Sequence, residues 1–141
     1  MKSSFAYVLA PVLGYFVAQI TKDVLGRRDI TSWKEWFRSG SMPSSHTAIV
    51  IALLAVIFFN EGVTPLFAVT GTFAALIIHD ALVVRRSVGE QGIALKQLLR
   101  KLKRDDIATP HVAMGHKPLE VIVGGSIGLV IGYAVALFIT I

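Results

Sequence analysis

The run Ser39-Gly40-Ser41-Met42-Pro43-Ser44-Ser45-His46 stands immediately before a long apolar stretch. Proline followed by serine is a helix-start signal, and Ser44 is the natural N-cap. The free N–H groups of such a first turn, together with the helix dipole, favour an anion. Ser45 adds a hydroxyl, and His46 places an imidazole within a turn of any bound phosphate. Plain capping by Ser44, with His46 idle, would account for the serines alone. Pro-Ser-Ser-His at the mouth of an apolar helix favours a site.

A second cluster, Gly115-His116-Lys117-Pro118-Leu119-Glu120, precedes the last apolar stretch. If the helix already includes His116, Glu120 lies one turn on and on the same face. Its carboxylate can then accept from one imidazole nitrogen and leave the other as a nucleophile. Pro118 prefers the first helical turn, which would leave His116 just outside it and the pair held less rigidly. A surface link between Glu120 and Lys117 is the plainer alternative. A third cluster is His79-Asp80 followed by Arg85-Arg86. The arginines suit bidentate contact with phosphate oxygens, or anchor the topology. Asp80 needs a partner at membrane depth, either one of these arginines or a histidine. Lys22 is a fourth cation, a phosphate ligand or a snorkelling anchor.

The elements that position these groups are apolar. Of 141 residues, 54% are hydrophobic and 16% charged, against about 25% charged in a soluble domain. Mean hydropathy is +0.67. A soluble globular protein, a disordered tail and a fibrous repeat are excluded. With no cysteine, so are disulfide scaffolds and thiolate metal sites. A net charge of +5 in so apolar a chain points to anionic headgroups or a phosphorylated substrate rather than nucleic acid.

Four stretches reach toward spanning length, near 5–25, 44–60, 65–84 and 118–141. The second does so only if its helix begins near Ser44. The first reads as an uncleaved span, because no small-x-small cleavage site precedes the polar run. Lys22, Arg27, Arg28, Lys34 and Arg38 separate the first stretch from the second. Arg85, Arg86, Lys96, Arg100, Lys101, Lys103, Arg104 and Lys117 separate the third from the fourth, so that of 14 Lys and Arg only Lys2 lies elsewhere. The positive-inside rule puts both basic loops, and with them all four clusters, on the cytoplasmic face of the plasma or inner membrane.

Around 88–104, Leu95, Leu98, Leu99 and Leu102 fall on one helical face, with Lys96, Arg100 and Lys103 turned away. This predicts an amphipathic helix, on the membrane surface or packed on its own protein. Trp33, Trp36 and Phe37 beside Lys34 and Arg38 suggest an interfacial belt. Gly124, Gly128, Gly132 and Ala136 recur every fourth residue, which lets helix backbones approach closely. Packing within the bundle is the simpler use of that stripe, and a homodimer face the alternative. The fold class is therefore all-α: one integral membrane domain over 1–141, a bundle of about four spans plus an interfacial helix.

Ser39 to Ala48 (SGSMPSSHTA), Asp80-Ala81 with Val84-Arg85-Arg86, Gly89 and Gln91, and Gly115-His116 with Pro118-Leu119-Glu120-Val121 together resemble the divergent PAP2 family. That branch is related to acid phosphatases and vanadium-dependent haloperoxidases. The resemblance follows nearly the whole chain in order, and it implies a PAP2-like core. Pro43-Ser44-Ser45-His46 resembles the Pro-Ser-Gly-His element of the wider superfamily. His116 to Glu120 resembles its closing His-x3-Asp, with Glu for Asp.

The resemblance implies that His116 attacks phosphorus, Glu120 orients His116, and His46 protonates the leaving alkoxide. Lys22, Ser44, Ser45, Asp80, Arg85 and Arg86 would form the substrate pocket, with fixed cations stabilising the charge in place of a metal. The superfamily's Lys-x6-Arg-Pro element is absent, and Arg86 lies thirty positions before His116 where a Ser-Arg-x5-His element would keep them close. The expected activity is phosphatase action on a lipid phosphate monoester or pyrophosphate, with membrane lipids as partners and no nucleic acid. Two alternatives stand beside it. One is a non-catalytic protein that binds or transports a phospholipid or polyprenyl phosphate. The other is a Mg²⁺-dependent phosphatase using oxygens of Asp80, Glu90, Asp105, Asp106 and Glu120.

Overall fold

A computed structural model describes residues 4–26, 42–103, 107–108, 112 and 114–140. The loop cations Arg27, Arg28, Lys34 and Arg38, the aromatic residues Trp33, Trp36 and Phe37, Ser39 to Ser41, and Lys2, Arg104, Asp105 and Asp106 lie outside the described residues. Helix α1 covers Ser4–Gly26, α2 Ser45–Glu61, α3 Pro65–His79, α4 Arg85–Lys101 and α5 Pro118–Thr140. A π-helical turn, Asp80–Val84, joins α3 to α4, so residues 65 to 101 form one helical run. The basic amphipathic segment is thus a continuation of the third span rather than a separate element.

Local signals set the ends. Ser44 accepts from the Thr47 N–H and caps α2 as its position before the apolar run predicts. Gly62, at φ 74°, ends α2 and returns its N–H to the Phe58 carbonyl, a left-handed conformation that glycine adopts without a Cβ penalty. Thr64 then caps α3, with Pro65 in its first turn. At 17 residues, α2 is about 25 Å long, shorter than the 23-residue α1 and α5.

The interior is made of small residues and the exterior of large ones. Ala6, Ala10, Ala52, Val56, Val135 and Ala136 form the buried cluster of α1, α2 and α5. Phe5, Val8, Phe73, Leu76, Val130 and Phe138 are exposed. In water this would forfeit the burial of large side chains. In lipid, whose tails are as apolar as leucine, close backbone packing drives association instead. The chain is an integral membrane protein.

Small-residue stripes make that packing concrete. A Cβ added at Gly128 would lie 2.5 Å from the Ala48 carbonyl oxygen, and one at Gly132 2.5 Å from that of Ala52. Gly124 presses in the same way on the Ser44 carbonyl. A Cβ added at Gly14 of α1 would lie 3.0 Å from the Ala48 oxygen. The Gly124/Gly128/Gly132 face is thus packed against α2 of the same chain, the simpler of the two uses expected for it. Helices α2 and α5 run parallel, because Ser44 donates to the Glu120 carbonyl at 2.9 Å at their shared starting end. Helix α1 is antiparallel to both, since Tyr7 near its start donates to Glu61 at the end of α2 (2.7 Å). Helix α3 packs on α2.

Candidate functional site

This topology carries the end of α1, the start of α2, the end of α3 and the start of α5 to one end of the bundle. Each small-residue stripe leads there into a polar side chain. On α1, Ala6, Ala10, Gly14 and Ala18 are followed at the same spacing by Lys22, which is 5% exposed. On α5, Gly132, Gly128 and Gly124 lead back to Glu120. On α2, Ala52 and Ala48 lead back to Ser44, which is fully buried. The contacts that let the backbones touch therefore also aim these groups inward.

His116 is 5% exposed, and its Nδ1 lies 2.8 Å from Glu120 Oε2. A carboxylate only accepts, so Nδ1 carries the hydrogen, and in the neutral ring the lone pair is on Nε2. The same Oε2 accepts the Lys117 N–H at 3.2 Å. Helix α5 begins at Pro118, so His116 stands outside it, and the pair nevertheless closes. The His116 N–H donates to the Ala81 carbonyl at 3.1 Å, and Glu120 is tied through its own carbonyl to Ser44. The surface link between Glu120 and Lys117 side chains is not what forms.

His46 opens at the rim of this cluster and lies within electrostatic range of Arg85, His116, Lys22 and Asp80. The two imidazoles, seventy residues apart in sequence, thus share one locus with two cations. Ser45 is buried beside His46, 6% exposed. The Ser44 hydroxyl accepts from the Thr47 hydroxyl at 3.0 Å, so its hydroxyl serves the cap.

The two arginines part company. Arg85 Nε donates to Asp80 Oδ2 at 2.6 Å. In a regular helix residues five apart diverge; the wider π turn aligns them, and Arg85 N–H bonds the Asp80 carbonyl. Arg86 instead pairs with Glu90 at 3.1 Å, and both side chains are 60% exposed. Among the carboxylates proposed for Mg²⁺, Asp80, Glu90 and Glu120 are engaged in these three separate pairs. Among the described residues no group of three or more His, Asp or Glu side chains converges as a metal set would.

Three participants escaped the sequence reading. Gln19, 2% exposed, lies three residues before Lys22 on α1 and so near its face. Thr47 is 1% exposed and completes the α2 cap. Gly115 presses on the backbone of the π turn: a Cβ there would fall 2.5 Å from the Arg86 nitrogen and 2.9 Å from the Ala81 oxygen. The signal for the first was the period-four Ala/Gly pattern of α1; a π turn has no comparable pattern.

The arrangement can hold an anion between Lys22, Arg85 and the start of α2, facing an imidazole whose Nδ1 is engaged by Glu120. A Bacillus subtilis (strain 168) protein, the "uncharacterized membrane protein YuiD", is 33% identical over 121 residues, covering 75% of this chain and 77% of that protein. No solved structure matches the chain. The profile of the divergent PAP2 family matches residues 4–131, and the chain belongs to that family.

Proposed function

We propose that this protein hydrolyses a lipid phosphate monoester or pyrophosphate through a phosphohistidine intermediate. The observation that carries the reading is the buried His116–Glu120 pair, closed at 2.8 Å, within the same electrostatic locus as His46, Lys22 and Arg85. Nε2 of His116 attacks the terminal phosphorus, and its bond to the leaving oxygen breaks: the lipid oxygen of a monoester, or the bridging oxygen of a pyrophosphate. Protonated His46 gives its proton to the leaving alkoxide. Water then attacks the phosphorus and passes a proton to His46; the phosphorus–nitrogen bond breaks, inorganic phosphate leaves and His116 is regenerated.

Lys22, Arg85, Ser45 and the first-turn N–H groups of α2 hold the phosphoryl oxygens, where charge builds in the transition state. Arg85 reaches them from Asp80, which keeps its guanidinium oriented. Arg86 serves as an interfacial anchor. The lipid tail stays in the bilayer beside the exposed apolar faces while the headgroup enters the cluster. The site faces the cytoplasm, because the basic residues of α4 and Lys117 continue from the same end of the bundle.

Purified protein in vesicles doped with phosphatidate or a polyprenyl phosphate tests this. Wild type should release inorganic phosphate, vanadate should inhibit it, and His116→Ala should abolish it. Chelator should leave the rate unchanged; loss in chelator with recovery in Mg²⁺ would select the metal-dependent mechanism. Lipid binding that persists in His116→Ala, with no phosphate released by wild type, would instead identify a binding or transport protein.

A further inference from the structure

The connection entering α5 does not reach His116 freely. Val112 packs on Gly92 of α4, where a Cβ would meet its Cγ2 at 3.1 Å. Three residues on, Gly115 sits against Arg86 and Ala81, and His116 bonds the Ala81 carbonyl. Contacts at 112, 115 and 116 therefore fall on 92, 86 and 81, in reverse order along α4 and the π turn. Gly89, on the same helix between Arg86 and Gly92, is buried.

From this we infer that the π turn and α4 form a positioning splint for His116, with Ala81, Gly92 and Gly115 as positioning residues. The turn does two things at once. It aligns Arg85 with Asp80 beside His46, and it presents the Ala81 carbonyl to the His116 N–H. Anion ligand and imidazole are thus referenced to the same five residues. Glu120 fixes the ring from α5, which is tied to α2 by Ser44. The imidazole is held between two independent elements, and neither alone defines its position. Absence of a side chain at Gly115 is what allows the connection to sit down on the Arg86 backbone, since the obstructing atoms there are main chain and cannot rotate away.

The placement of His116 is a property of the fold, whereas its catalytic consequence rests on the phosphatase reading, so the two are measured separately. Full-length protein in detergent, labelled with ¹⁵N-histidine, reports the ring directly by NMR. In wild type the Nδ1 proton of His116 should be shifted downfield by the carboxylate, and Glu120→Gln identifies that signal. Gly115→Ala should move or broaden it while thermal unfolding remains cooperative. Under the phosphatase reading the same variant should lose kcat by about 100-fold, as misplacement by about 1 Å does, with KM nearly unchanged because Lys22, Ser45 and Arg85 stay in place.

Should Gly115→Ala fail to fold, Gly92→Val tests the splint one step away, and Gly92→Val with Val112→Ala should restore the His116 signal by returning the lost space. An unchanged His116 signal in folded Gly115→Ala, or in Gly92→Val when Gly115→Ala does not fold, overturns the inference. So does failure of the Val112→Ala partner to rescue a signal that Gly92→Val has disturbed. Neither result depends on whether phosphate is released.

Discussion

Replacing Glu120 separates its charge from its geometry. Its Oε2 accepts from His116 Nδ1 at 2.8 Å and from the Lys117 N–H at 3.2 Å, at 15% side-chain exposure. Its carbonyl, a main-chain atom, holds Ser44 and survives any substitution. Glu120→Gln keeps an oxygen in place but removes the charge. Hydrogen bonds to charged groups contribute about 1.5–3 kcal/mol and neutral ones about 0.5–1.5 kcal/mol, a difference of about 1–1.5 kcal/mol. Because positive charge develops on the imidazole during attack, that difference falls on the transition state and lowers kcat about tenfold.

Glu120→Ala also leaves two N–H groups without their acceptor in a nearly closed site, at about 1–3 kcal/mol each. The loss should then reach about 100- to 1000-fold. The assay is phosphate release from phosphatidate in vesicles under saturating substrate, with thermal unfolding as the control. Tm should stay within a few degrees for Glu120→Gln, since the Ser44 tie is intact. Full activity in both variants, with the fold preserved, would refute the orienting role of Glu120.

Three further outcomes follow from contacts already described. Gly128→Val places side-chain carbon against the Ala48 oxygen, already 2.5 Å from a bare Cβ; the α2–α5 pair should lose about 1–3 kcal/mol, read as a lower Tm in detergent. Ser44→Ala removes the acceptor of the Thr47 N–H and hydroxyl and should lower stability by about 1 kcal/mol. Arg85→Gln should raise KM strongly, whereas Arg86→Gln, whose partner Glu90 is equally exposed, should leave kcat/KM near wild type.

The elements and the two histidine clusters were legible because their signals are local. Apolar length marks the spans, Ser44 marks a cap, and Pro118 marks the start of α5. That Lys22 turns inward was also written in the chain, in the period-four Ala/Gly stripe of α1, although the α5 stripe drew the attention. What could not be read was register through the helix following α3. Counting residues at α-helical spacing separates Asp80 from Arg85, and only the π turn brings them to 2.6 Å. A π turn arises when tertiary contacts outweigh the loss of regular hydrogen bonding, here with the Gly115–His116 connection seated on it, and no residue type announces it. For the same reason Arg85 and Arg86 were equivalent in sequence, yet one joins the cluster and the other faces outward.

The central claim is that His116 becomes covalently phosphorylated in a pocket it shares with His46. Incubating purified wild type with lipid phosphate, quenching in alkali to preserve phosphorus–nitrogen bonds, and mapping the label by mass spectrometry tests it most directly. The account predicts phosphate on His116, absent from His116→Ala and slow to form in His46→Ala. Phosphate release at the wild-type rate with no label on His116, or label on another residue, would contradict it.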